Sequence, residues 1–251
     1  METRITLVGA GPGDEELITL KGLRALEQAD VILYDDLANQ ELLRYAPTGA
    51  MKQYVGKRVG RPSFSQEEIN ALLVSLAKQY GHVVRLKGGD SYVFGRGHEE
   101  YVYAREHGID CQIIPGISSC IAVPASQHIP VTRRGVSESF WVITGTTRHG
   151  ELSEDLKLAV QSRATVVVLM GLQKIQELCQ LYIDHGRGEL PMAVIQNGTR
   201  PDERCVLGQV WEMPERVAAH GVGAPAVLVI GEVVTLHPAY IRECLAAVAC
   251  E

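Results

Sequence analysis

The sequence lacks several features that would assign it to a common class of protein. Its longest apolar runs, 164–170 and 224–230, are far shorter than the roughly 20 residues of a transmembrane helix. Its 6 cysteines form no C-x-x-C pair, which argues against a zinc or redox site of that type. Acidic residues outnumber basic ones by 30 to 24, and the formal net charge of −6 disfavours a nucleic-acid binder that depends on general charge attraction.

The sequence also has no low-complexity segment and no internal repeat. Its first residues, METRIT, lack the basic start and the long apolar stretch of a secretory signal. Hydrophobic residues make up 46% of the chain and charged residues 22%, which is ordinary for a folded globular protein. We therefore expect a cytoplasmic protein with reduced thiols that has neither a membrane nor a nucleic acid as a partner.

Strand-like and helix-like segments alternate along the chain, with glycine-rich joints between them. Apolar and β-branched runs predict strands at 4–8, 31–34, 83–86, 140–144, 165–169, 192–196 and 227–230. Periodic apolar residues predict helices at 19–28, 66–78, 99–107 and 172–185. Ser65 and Glu68 form a capping-box pattern at the start of the second helix. This alternation is typical of an α/β chain.

Several predicted strands are apolar throughout, which indicates sheets that are covered on both faces. The Pro115-Gly116 break is the best candidate for a domain boundary. We therefore predict two α/β lobes with parallel or mixed sheets, an N-terminal lobe at 1–115 and a C-terminal lobe at 116–251.

The first glycine-rich joint, GAGPGD at 9–14, directly follows the first predicted strand. It differs from the dinucleotide fingerprint G-x-G-x-x-G, because its third glycine comes one position early and Pro12 removes a backbone N–H donor. The joint is therefore a weak candidate for a phosphate site. It indicates either a tight turn beside some ligand or a turn that only needs a positive φ.

The second joint, LKGGD at 86–90, also follows a predicted strand. Its two adjacent glycines would let a ligand approach the main chain closely, at the sheet edge where ligands of α/β proteins bind. Asp90 either accepts hydrogen bonds from such a ligand or caps the turn that follows.

The third joint, PGISS at 115–119, places two serines where a helix would begin. Ser118 and Ser119 either cap that helix or mark free N–H groups that could hold a carboxylate. A fourth joint, NGTRP at 197–201, contains Gly198. Together the four joints suggest one shared cleft for a small molecule.

At these joints the sequence resembles the tetrapyrrole methylase family, the S-adenosylmethionine enzymes of corrin and sirohaem synthesis. The matching stretches run in the family's order over nearly the whole chain. They are VGAGPGD at 8–14, TLKG at 19–22, ADV at 29–31, VRLKGGD at 84–90, VFGRG at 93–97, IPGISS at 114–119, IPVT at 129–132, VLMG at 168–171 and PA at 225–226. The chain departs from the family's usual residues at Ser91, Tyr92, His98, Arg133, Thr146 and Thr147.

The resemblance implies two α/β lobes with the cofactor in the cleft between them, and a homodimer. It implies a C-methyltransferase that uses S-adenosylmethionine, releases S-adenosylhomocysteine and needs no metal. Within the family, the motifs favour the methylation of uroporphyrinogen III, twice in succession, to precorrin-1 and then precorrin-2. The product would feed sirohaem, cobalamin or haem d1 synthesis, and another precorrin methylase of the family is the alternative.

The resemblance also implies site residues. Its cofactor positions fall on Pro12, Gly88, Gly89, Asp90, Val93, Ser118, Ser119, Met170 and Gly198. By periodicity alone Met170 would be a core residue, and only the resemblance makes it a contact of the adenine. The family's proposed base falls on Asp35 and its proposed proton donor on Lys57. The residues alone also allow a solvated acid and a contact to a substrate carboxylate at these two positions.

The substrate implied by the resemblance carries eight carboxylates, so a protein of net charge −6 must gather cations locally to hold it. Such cations stand at Lys52, Lys57, Arg58, Arg61, Arg96, Arg133 and Arg134. The resemblance places Arg96 and Arg134 at the macrocycle. We favour carboxylate anchoring over proton abstraction for Arg96, because a guanidinium has a pKa above about 12. Glu99 either orients Arg96, hydrogen-bonds the pyrrole N–H groups, or is only a first-turn helix acid.

Three functions from other classes are alternatives. An NAD(P)-dependent dehydrogenase is opposed by the early third glycine and by Pro12. A relative of the same fold that methylates RNA or a protein histidine is opposed by the net acidity and the local cations. A binding module without activity is opposed by the presence of both a candidate base and a candidate proton donor.

Overall fold

The computed structural model describes residues 3–56 and 64–240. The chain divides into two compact units, Met1–Ser118 and Ser119–Glu251, which we call the N-terminal and the C-terminal unit. The lobe boundary predicted from the sequence stands after residue 115, whereas this division falls after Ser118.

The N-terminal unit is built on a parallel sheet. Its described strands are β1 (Arg4–Gly9), β2 (Val31–Tyr34), β3 (Met51–Tyr54), β4 (His82–Lys87) and β5 (Asp110–Ile114). Its described helices are α1 (Leu20–Glu27), α2 (Gln66–Tyr80) and α3 (Gly97–Glu106), with short 3₁₀ helices at Glu15–Leu17 and Gln40–Tyr45. The strands pair in the order β3-β2-β4-β1-β5, and every pair is parallel. Parallel neighbours need crossover connections, which the intervening helices provide.

Both faces of this sheet are buried. On one face Leu7 and Leu33 pack in a cluster that includes Leu73 of α2. On the other face Val8 packs in a cluster that includes Leu26 of α1. The central strands therefore contribute apolar side chains in both directions, as the sequence predicted for several of them.

The starts of two helices in this unit are fixed by side-chain caps. The Ser65 hydroxyl accepts a hydrogen bond from the Glu68 N–H at 3.2 Å, and the Glu68 carboxylate accepts one from the Ser65 N–H at 2.7 Å. The predicted capping box of α2 is therefore confirmed. The Thr19 hydroxyl likewise accepts from the Gly22 N–H at 3.0 Å at the start of α1.

The C-terminal unit is built on a mixed sheet. Its described strands are β6 (Phe140–Thr144), β7 (Thr165–Leu169), β8 (Pro191–Gln196), β9 (Arg204–Gln209) and β10 (Ala226–Ile230). Its described helices are α4 (Ser119–Ser126), α5 (Asp155–Ala159), α6 (Ile175–Asp184) and α7 (Met213–Ala219). The strands pair in the order β6-β7-β10-β8-β9. β6 and β7 are parallel, and β10 runs antiparallel to both β7 and β8.

Most predicted elements are confirmed, and the differences lie at the edges. The edge strands β3, β5 and β9 and the helices α5 and α7 were not predicted. β3 has the sequence MKQY and β9 the sequence RCVLGQ, so neither shows the apolar run of a central strand. The helix predicted at 172–185 is a 3₁₀ turn at Leu172–Lys174 followed by α6. Across residues 3–56 and 64–240, no helix combines the length and the apolar character that crossing a membrane requires.

Candidate active site

The predicted site residues of the N-terminal unit follow the carboxyl ends of its strands. Because all the described strands of this sheet are parallel, these ends share one edge. Pro12 follows β1, Asp35 follows β2, residues 88–90 follow β4 and Pro115-Gly116 follows β5. This is the edge at which ligands of open α/β sheets bind.

Three of the glycine-rich joints pack directly against one another at this edge. A Cβ atom built on Gly9 would lie only 2.5 Å from the Gly116 nitrogen and 2.7 Å from the Gly89 carbonyl oxygen. The Gly89 N–H donates to the Gly11 carbonyl at 2.6 Å, and the Gly11 N–H donates back to Gly89 at 3.2 Å. We call Gly9, Gly89 and Gly116 the glycine junction. These glycines allow neighbouring backbones to touch, while Gly11 and Gly89 also adopt positive φ angles of 83° and 63°.

Asp90 holds two of these loops in place. One carboxylate oxygen accepts a hydrogen bond from the Tyr92 N–H at 2.8 Å, which is the turn cap that the sequence allowed. The other oxygen accepts from the Gly116 N–H at 2.9 Å and so links the loops after β4 and β5. Each oxygen keeps a further lone pair, so the carboxylate can still accept a bond from a ligand.

A buried network of charges lies beneath Asp35. Arg85 of β4 donates from Nη2 to Asp35 at 2.7 Å and from Nε to Glu100 of α3 at 3.3 Å. Lys87 donates from Nζ to the same Glu100 oxygen at 3.0 Å. The side chains of Arg85, Lys87 and Glu100 are 4%, 7% and 0% exposed, whereas that of Asp35 is 24% exposed.

Strand alternation explains why these groups meet. Successive side chains of a strand point to opposite faces, so Arg85 and Lys87 share the face that α2 and α3 cover. Residue 35 continues the alternation of β2 on that face, and β2 pairs with β4. Burial lowers the pKa of Lys87, and the nearby Arg85 guanidinium lowers it further while Glu100 opposes both effects.

A pocket of about 320 Å³ opens beside this network. Its charged lining consists of Asp35, Asp36, Arg85 and Arg96. Its remaining lining is Leu37, Val55, Gly56, Phe64, Ser65, Gln66 and Ile69. Asp35 therefore connects the buried charges to a space that can receive a ligand.

Arg96 and Glu99 form a two-pronged ion pair at the start of α3. The Arg96 Nε and Nη2 atoms donate to the two Glu99 oxygens at 2.7 Å and 2.6 Å. These hydrogen bonds raise the pKa of Arg96 and lower the pKa of Glu99, so both groups stay charged at neutral pH. Both side chains are about half exposed, at 53% and 50%. A permanently charged, exposed arginine suits an anchor for carboxylates and not a base.

The loop before α3 and the first turns of α3 carry several aromatic residues, of which Tyr92 and His98 depart from the family's usual residues. The His98 ring lies 6.1 Å from the Tyr92 ring and 6.3 Å from the Tyr101 ring, centroid to centroid. Tyr92 is 48% exposed and Phe94 is 45% exposed. The loop therefore presents flat apolar surfaces next to the charged Arg96.

The predicted site residues of the C-terminal unit also lie at one edge of their sheet. β7 and β8 both run antiparallel to β10, so they point in the same direction and end at the same edge. Met170 follows β7, and Asn197 and Gly198 follow β8. The Asn197 N–H donates to the carbonyl of Pro225, just before β10, at 3.1 Å.

Met170 is not the core residue that periodicity alone predicted. Its side chain is 53% exposed, and its backbone has a φ of 55°, in the left-handed region. The Thr146 hydroxyl donates to its carbonyl at 2.9 Å and helps to hold this conformation. Gly198, in contrast, is buried, and a Cβ atom there would overlap the side chain of Val123.

The remaining predicted residues are distributed as follows. Val93 lies partly buried in the loop before α3, and Ser118 is buried at the end of the N-terminal unit. Ser119 begins α4, and Arg134 is exposed in the loop before β6. Lys57 follows the pocket residue Gly56 in the sequence but lies, with Arg58 and Arg61, outside the described residues.

Sequence reasoning missed three residues of the buried network, Arg85, Lys87 and Glu100. A signal for them was present, because a cation within a strand that is otherwise apolar must find a partner when it is buried. In VVRLK two cations stand two positions apart, so they face the same side of the strand. The position of their acidic partner depends on helix packing and has no fixed spacing in the sequence.

Comparison with known proteins gives a consistent family. Residues 4–214 match the family model described as tetrapyrrole (corrin/porphyrin) methylases. The chain is 45% identical over 238 residues to a uroporphyrinogen-III C-methyltransferase of Methanocaldococcus jannaschii, covering 94% of this chain and 98% of that one.

A second group of relatives is longer. The chain is 42% identical over 233 residues to a siroheme synthase of Chromobacterium violaceum and spans 50% of the length of that protein. Among solved structures, it matches a uroporphyrin-III C-methyl transferase of Thermus thermophilus in complex with S-adenyl homocysteine. The match has a TM-score of 0.78 and 37% identity, and it covers 93% of this chain and 99% of that one.

Proposed function

Because the chain belongs to the tetrapyrrole (corrin/porphyrin) methylase family, we infer that it is an S-adenosylmethionine-dependent C-methyltransferase. Its substrate is uroporphyrinogen III, which it methylates twice, to precorrin-1 and then to precorrin-2. The observation that carries this conclusion is the 45% identity to a uroporphyrinogen-III C-methyltransferase over nearly the full length of both chains. The homodimer that the resemblance implies and the cytoplasmic location expected from the composition remain proposals.

The donor supplies a methyl group on a positively charged sulfur. For its contacts in the N-terminal unit we propose Pro12, Gly88, Gly89, Asp90, Val93 and Ser118, and in the C-terminal unit Ser119, Met170 and Gly198. Two observations support the fit. Met170 exposes a pliable thioether that can pack on an adenine ring, and Asp90 keeps lone pairs for an amino or hydroxyl group.

Methyl transfer places few demands on the protein. A ring carbon forms a bond to the methyl carbon, the sulfur–carbon bond breaks, and its electron pair stays on the sulfur. The protein must align the ring carbon with that bond, and well-oriented reactants can gain roughly 7–11 kcal/mol in this way. The methylated ring then loses one proton, which a base beside the pocket would accept.

For that base we propose Asp35. Its carboxylate lines the pocket and is held by the Arg85 guanidinium at 2.7 Å, so it faces a ligand in a fixed orientation. Lys57, which the resemblance makes the proton donor, keeps that role as a proposal.

Recognition of the macrocycle is assigned to cations. We propose that Arg96, braced by Glu99, binds a carboxylate of the ring in the N-terminal unit, and that Arg134 does so in the C-terminal unit. Both arginines expose their charged ends, as anchors for a polyanion must. The guanidinium fork can hold one carboxylate through two hydrogen bonds.

The proposed function is tested by incubation with enzymatically made uroporphyrinogen III and S-adenosylmethionine. The mass of the oxidised product is then measured. Two added methyl groups are expected for the wild-type protein. Asp35→Asn should lower turnover while S-adenosylhomocysteine still binds with nearly unchanged affinity, and unchanged turnover would remove Asp35 from the mechanism. Methyl transfer only to a later corrin intermediate would support the alternative precorrin methylase.

A further inference from the structure

We propose that Arg85, held from behind by Glu100, is a positioning residue that fixes the Asp35 carboxylate at the pocket. The inference rests on the proposed function, since it assigns a task to the surroundings of the proposed base. It concerns residues that do not belong to any of the predicted donor or macrocycle contacts.

The Arg85 guanidinium is fixed on three sides. Its Nη2 donates to Asp35 at 2.7 Å, and its Nε donates to Glu100 at 3.3 Å. Its Nη1 donates to the Leu86 carbonyl at 2.9 Å. Because hydrogen bonds hold its Nε, Nη1 and Nη2 atoms, the planar guanidinium cannot rotate away from Asp35.

The network is balanced in charge, since Arg85 and Lys87 face Asp35 and Glu100. This balance matters because an unpaired charge at such burial is strongly destabilising. Glu100 itself is 0% exposed and does not line the pocket, and its hydrogen-bonded link to Asp35 is the Arg85 guanidinium that the two carboxylates share. Gln66 of α2 also donates to the same Glu100 oxygen at 3.3 Å.

Asp35 is the carboxylate of the network that lines the pocket. One of its oxygens accepts from Arg85, and the other accepts from the Leu37 N–H at 3.2 Å. The carboxylate is therefore held by a charged donor and by its own turn. Such double support is what a base needs if its free lone pairs are to point in one direction.

The charged groups around Asp35 in the described part of the chain come from several elements. Arg85 reaches it from β4, and Arg96 lines the same pocket from the start of α3. Its neighbour Asp36 accepts a hydrogen bond from the Tyr54 hydroxyl of β3 at 2.5 Å.

The test is a double-mutant cycle of Arg85→Lys and Asp35→Asn in the full-length chain. Arg85→Lys keeps the positive charge but cannot bond Asp35 and Glu100 together. In the protein that keeps Asp35, we expect Arg85→Lys to lower kcat about 10- to 100-fold. A positioned base contributes roughly 10²–10⁴-fold, so this loss is a part of its contribution. The KM for S-adenosylmethionine should change less than about twofold. In the Asp35→Asn background, Arg85→Lys should have no further effect on kcat, because the two residues act as a unit.

A second variant gives a readout that a merely structural role would not move. Glu100→Gln keeps the shape of the side chain and removes its charge. We expect a lower kcat, with the KM for S-adenosylmethionine changed less than about twofold. The matched control is Arg105→Gln on the same helix, which breaks the exposed pair to Asp110 and should leave both values unchanged.

Each outcome of these experiments supports or overturns the inference about Arg85. An equal loss of kcat in both backgrounds of the cycle, or a lower melting temperature with unchanged kcat, would show an ordinary structural ion pair and overturn this inference alone. Full turnover by Asp35→Asn would overturn it together with the proposed base. If the wild-type protein transferred no methyl group to any tetrapyrrole, the proposed function itself would fail, and the inference with it. If Arg85→Lys does not fold, the kcat and KM of Glu100→Gln decide.

Discussion

The glycine junction makes a quantitative prediction for the substitution Gly9→Ala. The new methyl group would lie 2.5 Å from the Gly116 nitrogen and 2.7 Å from the Gly89 carbonyl oxygen. Both neighbours are main-chain atoms, which cannot turn aside as a flexible side chain would. Three joined loops would have to separate for the methyl group to fit.

The cost follows from overpacking. Extra methyl groups in packed sites destabilise by typically 1–3 kcal/mol, and each kcal/mol lowers the melting temperature of a chain of this size by roughly 2–4 °C. We therefore expect Gly9→Ala to lower the melting temperature by about 2–12 °C. Binding of S-adenosylhomocysteine should weaken as well, because the displaced loops carry Pro12 and Asp90.

The measurement is thermal unfolding followed by circular dichroism, with calorimetric titration of S-adenosylhomocysteine. The matched control is Gly49→Ala, because a Cβ atom on Gly49 meets nothing within 4 Å. This control should leave the melting temperature nearly unchanged. If Gly9→Ala melted with the wild-type protein, the close backbone approach at the junction would be refuted.

Three further predictions concern separate features. Burial raises the pKa of Cys111 and Cys179 to about 12, so at pH 8 almost no reactive thiolate forms in the folded protein. Mass spectrometry after iodoacetamide treatment should find both thiols unmodified in the native state and modified in urea; native labelling would contradict their burial. Ser65→Ala removes the cap of α2 and should cost about 0.5–2 kcal/mol in a denaturant titration. If the free energy of unfolding were unchanged within experimental error, water would have replaced the cap. Arg96→Gln should raise the KM for the tetrapyrrole about tenfold or more, with the KM for the methyl donor little changed. If only the KM for the methyl donor rose, the assignment of Arg96 to the tetrapyrrole would be wrong.

The periodic elements could be predicted from the sequence because their signals are local. The spacing of apolar residues and the Ser65 cap define α2 without reference to any other part of the chain. The same holds for β4, which the apolar residues 83, 84 and 86 mark as a buried strand. The edge strand β3 could not be predicted, because its residues are partly exposed and gain their hydrogen bonds only from β2.

The buried charge network could not be predicted because it depends on the strand order. β2 and β4 are adjacent in the sheet although 47 residues separate the end of one from the start of the other in sequence. Asp35 and Arg85 each have an ordinary local interpretation, as a strand-end acid and as an isolated cation. Only the pairing of β2 with β4 brings the two together.

The glycine junction shows a different limit of prediction from sequence. The sequence allowed a ligand contact or a turn as the reason for each joint. Their contact with one another follows from the adjacency of β4, β1 and β5, which no local pattern encodes. Met170 shows the reverse case, because periodicity predicted burial and the left-handed backbone after β7 exposes it.

The central place of β1 has a consequence for protein synthesis. This first strand lies between β4 and β5, the last two strands of the N-terminal sheet to leave the ribosome. Until His82–Lys87 has emerged, the nascent β1 has no neighbour with which to form a hydrogen-bonded ladder. β1 must therefore wait, unpaired, while about eighty residues of chain are made, and assembly through such distant contacts is slow.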